Sequence, residues 1–214
     1  IKRLATEFAT AWLHLYDFET LDEKSPRHFP EFAGLRSSMH QEVVRFFADL
    51  FRSDGSVLSI FDADFTYLNE ALAKHYGIPG VEGTEFRKVE GIKKYSRGGV
   101  TTMAATLSKQ AGASRTSPIL RGIWISEVLL GEKLPKPPKG TPPLPEDEAS
   151  ETLSVRQLVE KHTSDPRCAN CHLRIDGYGF ALESFDAIGR TRIADLGGRA
   201  IETQAKLFDG TEVA

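Results

Sequence analysis

Five consecutive residues, Cys168-Ala169-Asn170-Cys171-His172, form a C-x-x-C-H pattern, which is the attachment signature of a c-type haem. Two thiols on one helical turn can add to the two vinyl groups of a single porphyrin, and the adjacent imidazole can ligate the iron. The pattern alone is only moderately specific, because C-x-x-C also occurs in zinc sites and dithiol redox centres. The chain contains only these 2 cysteines, and this count weakens the rival interpretations.

Each rival use of the cysteine pair lacks a part that it needs. A structural zinc site would need two further ligands, usually a second Cys or His pair. A thioredoxin-like dithiol lies where a helix follows a strand, whereas the surrounding sequence is predicted to be helical. A disulfide across so short a loop would constrain little of the unfolded chain. The sequence therefore predicts one covalent haem c, held by Cys168 and Cys171, with His172 as the proximal iron ligand.

The ligand on the opposite side of the iron is left open by the sequence. Small c-type cytochromes usually supply a methionine downstream of the motif, but both methionines, Met39 and Met103, precede it. Met103 lies among small residues where a porphyrin could approach closely, so it is the first candidate, with a flexible filler of an apolar gap as the alternative. Met39 fits better as a core residue of a predicted helix. His75, His162 and an open or water-bound site are the remaining alternatives.

Arginines are candidates to bind the haem propionates. A guanidinium group presents several N–H donors in a fixed fork that suits a carboxylate. For any one arginine, a solvated surface position is the simpler alternative. The candidates are Arg115, Arg121, Arg190 and Arg192.

The composition and net charge are typical of a globular chain that does not bind nucleic acid. The hydrophobic content is 40% and the formal net charge is −3, so we expect a real core and no nucleic-acid partner. No apolar stretch reaches the length of a membrane span. Residues 1–20 do not have the pattern of a signal peptide, and we expect the chain to continue beyond both ends of this sequence. Because covalent haem attachment takes place outside the cytoplasm, we expect part of a longer periplasmic or otherwise extracytoplasmic protein.

Hydrophobic periodicity predicts a mainly α fold. We expect a helical bundle followed by a small c-type cytochrome-like helical domain with a short β-hairpin. The predicted boundaries are 1–97 for the helical domain, truncated at its N-terminus, and 98–214 for the haem domain. The haem domain contains a proline-rich connector at 134–145, expected to be extended.

Local signals place the predicted elements more closely. Helices are expected over 1–20 and about 37–52, and a third is expected to begin at Asp64 and close at Gly77. A short strand is expected at 85–89. Further helices should begin at Ser117-Pro118, at 152 and at Asp165-Pro166, with Gly177 and Gly179 ending the last of them. The stretches 190–194 and 200–203 read as a β-hairpin.

Several further stretches carry a resemblance to a known family. They are Phe29–Phe32 (FPEF), Asp62–Glu70 (DADFTYLNE), His75–Ile78 (HYGI), Arg115–Pro118 (RTSP), Leu120–Gly122 (LRG), Gly179–Glu183 (GFALE) and Phe185–Arg190 (FDAIGR). With His162, the proline-rich segment and the C-x-x-C-H motif, they resemble the cytochrome-like domains of unknown function found in large planctomycete proteins. The resemblance implies an exported c-type haem protein but no particular reaction. One departure is Gly177, where similar sequences often have proline.

We expect a c-type cytochrome module that relays single electrons within a larger exported redox protein. Its partner would be a redox protein or other haem domains, and no catalytic residue is assigned. One alternative is a peroxidase-like or oxidative haem enzyme with an open distal site. Another is a haem that serves only as a structural element.

Overall fold

The computed structural model describes residues 1–137, 139–141 and 143–213. The chain forms two compact units: residues 1–109 with 188–190, and residues 110–187 with the chain from 191 on. Both are mainly helical, which confirms the predicted fold class. The division after residue 109 falls shortly after the predicted domain boundary at 97. In the described part of the chain, no helix is long and apolar enough to cross a bilayer.

The first unit is built on one long helix. Its helices are α1 (Lys2–Trp12), α2 (Phe32–Ser53), α3 (Ser59–Asp62), α4 (Glu70–Tyr76) and α5 (Ala104–Lys109). The α1 helix packs against α2, whose apolar face is buried. The helix predicted over 1–20 is wrong in its second half, because His14 adopts φ 61°, a left-handed conformation that does not continue an α-helix.

A two-stranded antiparallel sheet replaces the start of the third predicted helix. The strand β1 (Phe65–Leu68) pairs with β2 (Arg87–Glu90), so the strand predicted at 85–89 is confirmed with a small shift. Asp64 does not cap a helix, because its carboxylate accepts a hydrogen bond from the backbone N–H of Lys93 at 2.8 Å. Asn69 caps α4 instead, accepting from the N–H of Leu72 at 3.0 Å. The predicted end of this helix at Gly77, in the left-handed conformation, is confirmed.

The described residues of the second unit form three α-helices and a small antiparallel sheet. The helices are α6 (Pro118–Trp124), α7 (Val155–Thr163) and α8 (Pro166–Ala181), and the strands are β3 (Ala205–Lys206) and β4 (Glu212–Val213). The α6 helix continues as a π-helical turn over Ile125–Leu129. The predicted start at Ser117-Pro118 is confirmed, since Ser117 caps α6. The helix predicted from 152 begins later, at Val155, where Ser154 forms a capping box.

The hairpin predicted at 190–203 is wrong in extent. Its strands reduce to a single antiparallel bridge, Ala194 to Ala200. The reason lies in the turn, where the carboxylate of Asp195 accepts from the backbone N–H of Gly197 and of Arg199. Within the predicted connector, Pro138 and Pro142 lie outside the described residues; its other residues form neither helix nor strand.

Candidate functional site

The C-x-x-C-H motif lies in the first half of α8. The Asp165 side chain accepts from the backbone N–H of Arg167 at 2.9 Å, and Pro166 occupies the first helical position. The Arg167 guanidinium bonds the same carboxylate and, with that backbone hydrogen bond, lowers the pKa of Asp165 to about 2. The start of this helix is therefore set by the local signals that predicted it.

The predicted break of this helix at two glycines is wrong. The helix continues through Gly177 and Gly179 to Ala181, and both glycines are buried. A Cβ atom at Gly179 would collide with the backbone of Pro118 on α6, and one at Gly122 of α6 with the backbone of Ile175 on α8. The two helices thus cross with their backbones in contact, which only glycine permits, and this contact fixes the motif helix.

Both thiols and the imidazole of the motif line one cavity of about 650 Å³, a volume within the range of about 300–1,000 Å³ typical of cofactor sites. Cys168 and Cys171 are free and half-buried. The walls are mostly apolar and come from α6, α8 and the proline-rich segment. These apolar wall residues are Ile119, Leu120, Ile123, Leu134, Pro135, Pro137, Pro143, Leu144 and Ile175. The cavity thus offers an apolar environment next to two nucleophilic sulfur atoms and one metal ligand.

Among the residues that the structure describes, three cations also line this cavity: Arg115, Lys136 and Arg167. Arg115 is one of the four arginines singled out by the sequence. It donates to the carbonyl oxygen of Thr116 at 2.9 Å and lies 3.8 Å from the carboxylate of Glu146. Lys136 and Arg167 were not among the predicted residues. Lys136 lies in the proline-rich segment and Arg167 directly precedes Cys168, and for Arg167 this position next to the motif is the signal that could have found it.

The structure corrects the interpretation of Arg121. Its side chain is 1% exposed and does not line the cavity. It donates to the carbonyl oxygens of Leu182, Phe185 and Asp186 at 2.7–2.9 Å and lies 3.4 Å from the carboxylate of Glu183. Burial lowers the pKa of this guanidinium to about 10. Arg121 therefore holds the chain that follows α8.

Two other candidate arginines are also held by acidic side chains. Arg192 pairs with Glu148 at 3.1 Å and with Glu183 at 2.9 Å in the second unit. Arg190 belongs to the first unit, where it pairs with Glu31 at 2.9 Å. Neither pair places the guanidinium at the cavity of the motif helix. Arg115 is the predicted propionate partner that the structure brings to that cavity.

His172 is buried and oriented by a carboxylate one helical turn later. Its Nδ1 lies 2.8 Å from Oδ1 of Asp176. An ionised carboxylate only accepts, so Nδ1 carries the hydrogen and Nε2 keeps the lone pair that a metal ion would bind. Asp176 was not among the predicted site residues, although its spacing of four residues from His172 on a predicted helix is the signal that could have found it.

Asp176 also affects the pKa of the Cys171 thiol. Burial raises its pKa, and the negative charges of Asp176 and Glu127 raise it further, while Arg174 lowers it. Glu127 also lines the cavity. Acidic side chains therefore act on the same helical turn that carries the motif.

His162 lies beside His172. The two ring centroids are 5.1 Å apart in an edge-to-face contact. Two axial imidazoles would hold the metal ion between them, with a bond of about 2 Å on each side, and an edge-to-face contact leaves no such space. His162 is thus placed next to the proximal candidate rather than opposite it.

The other distal candidates lie in the first unit. Met103 is 3% exposed, and its carbonyl oxygen accepts from the backbone N–H of Leu107. Nε2 of His75 lies 2.8 Å from the carbonyl oxygen of Ile188, and a carbonyl can only accept, so this nitrogen acts as a donor. That bond gives His75 a structural role, and Met103 as distal ligand stays a prediction.

The fold and the site define a mainly helical chain whose second unit carries a C-x-x-C-H helix beside an apolar cavity. Residues 97–195 match the family model PSCyt3, a protein of unknown function (DUF1588). Residues 1–78 match PSD4, a protein of unknown function (DUF1592). Both matches agree with the resemblance to planctomycete cytochrome-like families, and the first encloses the motif. Neither the curated proteins nor the solved structures gave a match.

Proposed function

We propose that this chain is a c-type cytochrome module that binds one haem covalently and relays single electrons. Cys168 and Cys171 would form the thioether bonds and His172 would be the proximal ligand. The observation that carries the proposal is that the two thiols and the imidazole of one helix line the same largely apolar cavity. The name of the matched family, which is cytochrome-like, supports it.

The residues present fit a haem. The apolar walls would exclude water from the porphyrin faces, and Arg115, Lys136 and Arg167 would bind its propionates. When bound, the haem would supply one-electron redox chemistry. The chain would set the reduction potential through the axial ligand, burial and charge.

The setting proposed for the module follows from the attachment chemistry. Thioether bonds to haem are formed outside the cytoplasm, so we place the protein in the periplasm or an equivalent compartment. Its electron partner would be a redox protein or other haem domains of the same assembly. The half-buried Cys168 and Cys171 would leave one haem edge close to the surface as the transfer point.

Covalent attachment is the direct test. The chain would be exported in a host with a c-type haem maturation system, purified, and analysed by intact mass and by haem staining of a denaturing gel. We expect one haem per chain in the wild type and none in Cys168→Ala/Cys171→Ala. Haem that remains covalently bound in this double variant, or a wild type without haem, would overturn the proposal.

The neighbouring histidines provide a matched pair of variants. His172→Ala should abolish the low-spin spectrum, whereas His162→Ala should keep attachment and spin state. The reverse result would show that the proximal ligand is assigned wrongly.

Carbon monoxide binding distinguishes an electron carrier from a haem enzyme. Slow or absent binding to the reduced protein supports an electron carrier. Rapid binding would favour a haem enzyme with an open distal site.

A further inference from the structure

We infer that Asp176 is a positioning residue that orients His172 and lowers the reduction potential of the site. This inference rests on the proposed function, since it assigns a role toward a haem ligated by His172. Asp176 is not part of the C-x-x-C-H motif, and neither family match assigns it a role.

The geometry is that of a carboxylate that hydrogen-bonds to a metal-ligating imidazole. Oδ1 of Asp176 accepts from Nδ1 of His172 at 2.8 Å, and the side chains are only 17% and 9% exposed. Metal-ligating imidazoles commonly donate their other N–H to such a group, which fixes the tautomer and raises the basicity of the ligating nitrogen. Both residues lie within α8, so their spacing of four residues places Asp176 about one turn after His172 on the same side of the helix.

The charge of Asp176 favours the oxidised state. A more basic imidazole donates more electron density to iron, and a nearby negative charge stabilises the extra positive charge of the ferric form. Because both side chains are largely buried, solvent screens this interaction less than it would at the surface.

An ordinary helix-surface pair is the alternative explanation. Pairs at i, i+4 on exposed helices stabilise by a few tenths of a kcal/mol and would leave the potential of a nearby cofactor unchanged. The two explanations separate when charge and hydrogen-bond acceptor are varied independently. Asp176→Asn keeps an acceptor oxygen and removes the charge, while Asp176→Glu keeps the charge.

The test is a redox titration of the haem-loaded full chain. At a fixed ambient potential we expect Asp176→Asn to raise the ratio of reduced to oxidised protein about tenfold, which corresponds to about 59 mV for one electron. Asp176→Glu should return it toward the wild type. The matched control is Glu127→Gln, an exposed carboxylate that lines the cavity, and its shift should be clearly smaller. A shift in Asp176→Asn no larger than this control overturns the inference.

A second measurement uses the wild type, in case Asp176→Asn yields no loaded protein. In the reduced, diamagnetic holoprotein the ring N–H proton of His172 should resonate downfield of the range for a neutral carbonyl acceptor, because its partner is anionic. A resonance within the neutral range would overturn the inference. A wild type that carries no covalent haem would instead refute the proposed function, so the two failures are distinguishable.

Discussion

The two units bury their charged side chains in different ways. In the first unit, the carboxylate of Glu42 is 1% exposed and accepts from the hydroxyls of Thr66 at 2.6 Å and Tyr76 at 2.5 Å. In the second unit, buried carboxylates face guanidinium groups, with Glu183 between Arg121 and Arg192. The hydrogen bonds to Glu42 therefore come from neutral hydroxyls, with the charge of Arg97 as a smaller influence, whereas Glu183 of the second unit lies in a network of ion pairs.

In the second unit, the ion-pair network and the candidate site lie at opposite ends of α8. The Arg121 guanidinium bonds carbonyls of the chain that follows α8, at the end opposite to the motif. The first half of the same helix carries Cys168 and Cys171 to the cavity. The ion network thus holds one end of the helix and leaves the other end to line a space for a cofactor.

The largest expected effect follows from breaking this network. Arg121→Met would leave three carbonyl oxygens without their buried donor and would remove one of the two guanidinium partners of Glu183, so we expect a loss of about 3–5 kcal/mol in the free energy of unfolding. Urea unfolding would be followed by the fluorescence of Trp124, buried in the second unit, in a Trp12→Phe background.

An exposed arginine of the same unit is the control. Arg167 is 75% exposed in its pair with Asp165, so Arg167→Met should change the unfolding midpoint far less. Equal losses in the two variants would mean that the buried Arg121 network stabilises the unit no more than an exposed ion pair does. The comparison between the two units would then lose its basis.

The first unit should show a pH dependence that Glu42 controls. Burial raises the pKa of its carboxyl from 4.5 to about 7, against the lowering effect of the hydrogen bonds from Thr66 and Tyr76. A raised pKa means that the folded state binds the proton more tightly, so the contribution is fully present below 4.5 and is lost as pH rises through about 7. The loss should amount to about 3 kcal/mol.

Other groups titrate in the same window, so the measurement is a difference. The free energy of unfolding of the wild type and of Glu42→Gln would be compared across this range, with Trp12 as the probe in a Trp124→Phe background. The difference between the two proteins should change in favour of the variant as pH rises. A difference that is constant with pH would contradict the buried, proton-binding role of Glu42.

Most of the candidate site could be predicted from patterns of residues that are close in the sequence. The C-x-x-C-H motif and the caps at Ser117 and Asp165 depend on residues within one or two turns, and the structure has the corresponding helices. The wrong predictions depended on distant partners. Phe65–Leu68 is a strand because it pairs with β2, and Arg121 is buried because carbonyls after α8 surround it. No local pattern could reveal these contacts.

The smallest of the three expected effects on stability is that of Gly179→Ala. This substitution tests whether local helix propensity or contact with a distant residue determines the glycine at this position. By helix propensity alone, Gly179→Ala should stabilise α8, since alanine in a helix interior is favoured by about 0.5–1 kcal/mol. The added Cβ would meet the backbone of Pro118, whose Cα lies 2.7 Å away, so we expect a net loss of about 1–3 kcal/mol instead.

The matched control for Gly179→Ala is Gly34 of α2, where an added Cβ meets nothing within 4 Å. Gly34→Ala should therefore stabilise the first unit by about 0.4–1 kcal/mol. Opposite signs for the same substitution would show that backbone contact with α6, not helix propensity, requires glycine in the motif helix. If both variants gained stability, the close crossing of α6 and α8 would be wrong, and the motif helix would have to be held by the Arg121 network alone.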